Sequence, residues 1–266
     1  MQEANDFKIE SDSLYAVMLN LSDKDFTEPT QFKGWTFNDI LEHLHMWNWA
    51  ANESYVNENN FLKFVDSVIS ETKVGSLKSF ERKWSSGLTG RNLLETWHDF
   101  YLDMAKRFDC VDSKLRLKWV GPSMSARSSI SARLMETWAH GQEVIDHLGL
   151  IRRDSDHIKS IAVLGVNTYS WTYVMREETP PGPMPYVRLT APSGEIWEFG
   201  ELSDTELVEG RASEFCQVVT QVRNVADTDL KMRGEVAIDW MSKAQCFAGG
   251  LQTPPAPGTR YTRAVS

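Results

Sequence analysis

Along the first half of the chain, apolar residues return every three to four positions, the repeat of a helix with one buried face. Phe7, Ile9, Leu14, Val17, Met18 and Leu21 follow this spacing and predict a first helix over 6–21. In GWTFNDILEHLHMWNWAANESY the entry signal is sharper. Thr36 stands at an N-cap, Asp39 stands three residues on, and Trp35 and Ile40 sit where a hydrophobic staple closes, so a second helix is predicted to begin at Thr36. Leu93, Leu94, Trp97, Phe100, Tyr101 and Met104 give one apolar face to a third helix at 90–108. A fourth runs from about Ala126 to His147 and stops at Leu148-Gly149, where glycine can adopt the left-handed C-cap. Four long amphipathic helices imply a bundle. The stretch 58–88, with Gly75 and Gly87, reads as looser: short helices, a lid or a long connection.

Beyond this the period changes. A fifth helix is expected at 155–176, followed by EETPPGPMP, whose four prolines and one glycine cannot continue a helix or a central strand. That segment is the expected linker, dividing the chain into a helical domain at 1–178 and a small α+β domain at 179–266. Tyr186 to Thr190 reads as a strand, Pro192-Ser193-Gly194 as a turn, and Glu195 to Phe199 as the antiparallel partner. Short helices at 211–222 and 235–248 bracket a further strand at 229–232, and the Pro- and Thr-rich tail after Gly250 reads as irregular.

Composition narrows the class of function. With 266 residues, 41% of them hydrophobic and 24% charged, the chain has enough apolar material for two cores. A net charge of −9 argues against a nucleic-acid partner, because phosphate binding draws on clustered Lys and Arg. The start, MQEANDFKIESDS, has no signal-peptide pattern and no window approaches a membrane span, so the expectation is a cytoplasmic protein. Cys110, Cys216 and Cys246 lack CxxC spacing and are odd in number, which fits reduced thiols and neither a disulfide framework nor a thiolate zinc site.

In RLMETWAHGQEVIDHLG, Glu136 and His140 stand four residues apart and share one helical face. A third donor is available from His43, seven residues into the second helix and on its core side if Leu41 and Leu44 flank the core. Two imidazoles and a carboxylate suit zinc, and three protein ligands leave a coordination position open, the pattern of a catalytic metal. Singly the signals are weak, since an i, i+4 Glu and His pair is more often solvated and a lone His more often a hydrogen-bonded core residue. His45, Glu143 and His147 are rivals, although a histidine in a last helical turn is favoured by the helix dipole alone. Asp39, one turn before His43, could accept from its free N–H, but capping already explains it.

The block GWTFNDILEHL resembles the GWT-x-x-D-x-x-x-H-L signature of the mycothiol-dependent maleylpyruvate isomerase family, one of the DinB-like metal-binding four-helix bundles. METWAHGQEVIDHLG resembles its second motif, and LTAPSGEIWEFG, VEGRASEFCQVVTQVRN and DTDLKMRGEVAIDWMSKAQCFAG extend the likeness over nearly the whole chain except 58–88. The resemblance implies an α+β protein, a DinB-like bundle followed by a sterol-carrier-protein-like domain. It implies metal ligands at His43, Glu136 and His140 and a catalytic arginine in the second domain, for which Arg223 is the assignment and Arg211 the reserve.

It also implies thiol chemistry, in which zinc or another divalent metal lowers the pKa of a low-molecular-weight thiol such as mycothiol, for isomerisation or thiol transfer on a small unsaturated or otherwise electrophilic carboxylate. Two alternatives stand beside it. One is a metal-dependent hydrolase or lyase with Glu143 or another carboxylate as base. The other is a non-catalytic module binding an apolar small molecule in its second half.

Overall fold

The computed structural model of the protein describes residues 1–264. Its backbone gathers into two compact units, Met1–Val144 and Ile145–Ser266. Long helices dominate the first: α1 (Gln2–Met18), α2 (Phe37–Val56), α5 (Gly90–Asp109) and α6 (Ala126–Leu148), with α5 packed on both α1 and α2. Their apolar stripes meet in a core of Phe7 and Leu14 from α1, Ile40, Leu41 and Leu44 from α2, Leu93, Trp97 and Tyr101 from α5, and Ile130, Leu134 and Trp138 from α6, all essentially inaccessible. These are the positions that the 3.6-residue repeat singles out.

The start of α2 carries a complete capping box. The Asp39 backbone N–H donates to Thr36 Oγ1 and the Thr36 N–H donates to the Asp39 carboxylate at 2.8 Å. Such a cap is worth about 1 kcal/mol. Asp39 also pairs with Lys78 at 2.7 Å and Arg82 at 2.6 Å, fastening α2 to the helix that carries those cations.

That helix, α4 (Leu77–Trp84), and the preceding α3 (Glu58–Thr72) occupy the segment expected to be loose. Asn57 and Ser76 cap them. Phe61, Phe64, Val68 and Phe80 pack against Met46, Trp47 and Ala50 of α2, and full burial of each large apolar side chain contributes about 1.5–3 kcal/mol. The segment is therefore a helical layer of the core, because its aromatic residues fall at helical spacing between two caps. A short antiparallel ladder, β1 (Arg116–Leu117) with β2 (Met124–Ser125), precedes α6. Its two-residue strands are too brief to leave a pattern in the sequence.

The second unit is built on a four-stranded sheet in the order β4-β3-β5-β6. The expected hairpin is present as β3 (Tyr186–Thr190) and β4 (Ile196–Phe199), with Leu189 opposite Trp197. The central β5 (Leu207–Arg211) runs parallel to β3 and was not foreseen, because Glu209 and Gly210 break its apolar alternation. β6 (Lys231–Arg233) closes the sheet antiparallel to β5.

The helix expected at 155–176 is instead a 3-10 turn (Asp156–Ile158), α7 (Lys159–Asn167) and α8 (Tyr169–Val174). At the break, the Thr168 hydroxyl and its backbone N–H both donate to the Leu164 carbonyl, at 2.7 Å and 3.0 Å. α7 packs on α9 (Ala212–Val219) so closely that a Cβ at Gly165 would lie 2.9 Å from the Phe215 ring and from Val219. The proline-rich segment is tied back by the Tyr169 hydroxyl, which donates to the Gly182 carbonyl at 2.7 Å. These contacts tie the 155–176 segment to α9 and to the proline-rich stretch.

α10 (Glu235–Lys243) completes the unit, entered through Gly234 at φ 91°, where a Cβ would meet the Thr205 carbonyl at 2.3 Å. All three cysteines are free, Cys216 and Cys246 buried and Cys110 exposed. No helix among the described residues is long and apolar enough to cross a membrane.

Candidate metal centre

The capped start of α2 sets His43 two turns inside the helix, and α6 presents Glu136 and His140 one turn apart. Glu136 Oε2 lies 3.4 Å from His43 Nε2 and 3.5 Å from His140 Nε2, and one donor atom from each of the three residues falls within 4.8 Å of the others. Among the described residues this is the group of His, Cys, Asp and Glu donors so gathered. A tetrahedral ion with bonds of about 2.05 Å has ligand-to-ligand edges of about 3.3 Å, so the two measured edges fit zinc without rearrangement.

The rivals are elsewhere. His45 lies edge-on to Trp84 and Phe100, its ring 5.4 Å from each. His147 accepts from Arg263 in the second unit, and Glu143 is buried further along α6. Asp39 serves the cap and α4.

The partner of His43 is Glu81 of α4. The His43 Nδ1–H donates to Glu81 Oε1 at 2.7 Å and the Trp47 Nε1–H donates to the same oxygen at 3.1 Å, while Glu81 itself is 1% exposed. This bond fixes the tautomer that leaves Nε2 free to ligate, and a carboxylate behind a ligating histidine raises its basicity. Nothing about Glu81 was legible in the sequence beyond a capped helix whose Phe80 faces the core.

His140 is held by rings. Trp35 stacks on it at 5.5 Å with planes 7° apart, and Phe32 meets it edge-on at 5.1 Å. Both aromatics come from the turn at 29–36, which is closed by the Thr30 N–H donating to the Trp35 carbonyl at 2.8 Å and by Gly34 at φ 67°.

The protonation balance also suits a cation. Burial disfavours the charged form of His43, but Glu81 and Glu136 outweigh it and push its pKa up to about 9 in the metal-free protein. Burial and the charge of His43 hold His140 low, despite its bond to Glu136. Burial raises Glu136, yet its bonds to His140 and His43 and the charges of His43 and Arg133 hold its carboxyl well below the usual range. The site thus keeps a carboxylate and attracts positive charge.

Arg223, the arginine assigned from the family resemblance, lies in the second unit. It is buried, with Nη2 donating to Asp146 Oδ1 at 2.7 Å and Nη1 to the Val222 carbonyl at 3.2 Å. Arg211 is paired with Glu214 at 2.7 Å. A different arginine, Arg133, stands one turn before Glu136 in the first unit, its Nη2 4.0 Å from Glu136 Oε1. The i, i+3 spacing from Glu136 was its signal in the sequence.

The profile of the mycothiol maleylpyruvate isomerase N-terminal domain matches residues 7–145, more than half of the chain. The chain belongs to this family. It is also 34% identical over 253 residues to an uncharacterised protein of Mycobacterium tuberculosis, recorded from strains CDC 1551 and H37Rv, covering 95% of this chain and 96% of that protein. Among solved structures, the crystal structure of the mycothiol-dependent maleylpyruvate isomerase matches over 81% of this chain and 86% of that one, with a TM-score of 0.52 and 12% sequence identity. At that identity the likeness concerns the fold, a helical region followed by a small sheet domain. Family membership and the gathered donors on α2 and α6 rest on separate observations.

Proposed function

We propose that this family member is a metal-dependent enzyme, holding zinc or another divalent ion at His43, Glu136 and His140. Its reaction is thiol-dependent isomerisation of, or thiol transfer to, a small unsaturated or otherwise electrophilic carboxylate. The observation that carries the reading is the three-donor set, gathered within 4.8 Å with both Glu136 edges close to tetrahedral length. A divalent ion there would supply the positive charge that makes a thiol, mycothiol or another low-molecular-weight one, acidic near neutral pH.

The protein's own groups supply positioning. Glu81 orients His43, and Trp35 and Phe32 fix the His140 ring. The family's naming after a mycothiol enzyme and the crystal structure of such an isomerase support thiol chemistry over hydrolysis. Glu81, the other buried carboxylate beside the donors, is already engaged by two N–H donors and is a poor choice of general base for a hydrolase. Arg223 keeps its proposed role as the catalytic arginine within this reading.

The test is elemental analysis of the purified protein alongside His43→Ala, Glu136→Ala and His140→Ala. About one zinc per chain, lost in all three variants, is expected, followed by thiol-dependent turnover of an unsaturated acid. A wild type that takes up no divalent metal would overturn the reading.

A further inference from the structure

Arg133 is the side chain that neither the fold nor the metal site accounts for. It is 5% exposed, and its Nε and Nη1 are buried with no hydrogen-bond partner. Its Nη2 stands 4.0 Å from Glu136 Oε1, beyond hydrogen-bond length. Beneath it lies the Trp119 ring, 5.2 Å from the guanidinium carbon, which offers a π face and no acceptor. A guanidinium presents five N–H donors in a rigid fork, and burying them without acceptors is unfavourable unless something else supplies the oxygens. Arginines of the second unit show the contrast: Arg223 has Asp146 and a carbonyl, and Arg211 has Glu214.

The position of Arg133 says what it waits for. Glu136 turns Oε2 toward both histidines and Oε1 toward Arg133. An anion seated on the guanidinium would therefore lie directly beside the donor set. The buried Nε and Nη1 donors lack acceptors, and a planar carboxylate matches the guanidinium fork with two parallel bonds that a single water molecule cannot make.

We infer that Arg133 is the substrate anchor of this site: its guanidinium binds a carboxylate of the substrate next to the metal position. The inference rests on the proposed function for the substrate class. It assigns to a residue of the bundle the substrate-carboxylate contact that the family resemblance gives to the second-domain arginine.

The test compares wild type, Arg133→Lys and Arg133→Met as metal-loaded proteins, with maleate as probe and its uncharged diamide as control. Metal content, calorimetric affinity and thermal midpoint are read on the same samples. Expected are full metal content in all three, maleate binding to wild type but not of the diamide, and a loss of at least tenfold in affinity for Arg133→Met, with Arg133→Lys between them. Without maleate, Arg133→Met should melt no lower than wild type, since it removes an unpartnered buried charge; a merely structural arginine would predict a lower midpoint. Maleate should raise the midpoint of wild type most, of Arg133→Lys less and of Arg133→Met least.

Maleate affinity in Arg133→Met within twofold of wild type, equal binding of the diamide, or no maleate binding by wild type would each overturn the inference. A wild type free of metal that still loses maleate binding on Arg133→Met would sink the metal-enzyme reading while sustaining the anchor.

Discussion

Replacing Glu81 by Gln tests the proposed metal site without touching a proposed ligand. Both donors to Glu81, His43 Nδ1–H and Trp47 Nε1–H, converge on one oxygen, Oε1. The amide oxygen of Gln can occupy that place and keep both contacts, so the substitution removes charge and little else. A hydrogen bond to an ionised acceptor is about twice as strong as a neutral one. Loss of the partner behind a ligating histidine lowers metal affinity by about 10–100-fold, which is about 1.4–2.7 kcal/mol. The 2.7 Å contact and the burial of Glu81 point to the upper half of that range. Glu81→Ala goes further, since it leaves two buried donors without an acceptor, each costing about 1–3 kcal/mol of stability. The assay is competition for zinc with a chromophoric chelator, with thermal unfolding of the metal-free proteins in parallel. Glu81→Gln should bind zinc tens of times more weakly and melt close to wild type, while Glu81→Ala should lose both affinity and midpoint. Zinc affinity of Glu81→Gln within threefold of wild type would refute the role assigned to this carboxylate.

Three further outcomes are expected. Because the carboxylates around His43 raise its pKa to about 9 in the metal-free protein, its proton stabilises that form fully below the unfolded value near 6.5, and this contribution is lost as pH rises toward 9. Metal uptake must expel that proton, so about one should be released per ion at pH 7 and affinity should rise about tenfold per pH unit up to 9; calorimetry in buffers of different ionisation enthalpy would show no release if the assignment is wrong. Burial lowers the pKa of His45 to about 4, so charging it in the fold becomes costly as pH falls from 6.5 toward 4. Between pH 6.5 and 5 wild type should lose about 2 kcal/mol that His45→Leu keeps, measured by urea unfolding. Finally, Gly165→Ala should destabilise the second unit by about 1–3 kcal/mol through the clash with Phe215 and Val219, visible as a lowered thermal midpoint.

The fold was legible where side-chain periodicity is strong and local chemistry agrees with it. Thr36 and Asp39 announced the cap of α2, and the repeats of α5 and α6 stood close to their observed limits. The β3 and β4 hairpin followed from alternation around Pro192-Ser193-Gly194. The candidate donors that the fold gathers were legible in part: the i, i+4 spacing on α6 is a local property, and the place of His43 in α2, joined to the family resemblance, gave the third. Over α3 and α4 the sequence left short helices, a lid and a long connection open, because glycines at their ends mimic a loop when their aromatic residues have no visible partner. The helix at 155–176 looked continuous because Thr168, where the backbone turns away at φ −97° and ψ 14°, is no helix breaker by composition.

By itself, then, the sequence determined the elements whose signals lie within one or two turns: helix caps, apolar stripes, a tight hairpin and two donors on one helical face. Tertiary structure alone decided which distant residues meet them. Glu81 reaches His43 across 38 residues, Trp35 comes to lie on His140, and Arg133 is buried with its donors unmatched. A covalent chain encodes spacing directly, whereas contacts between helices depend on how whole faces pack, and that choice is made by the sum of the buried surface rather than by any residue at the site.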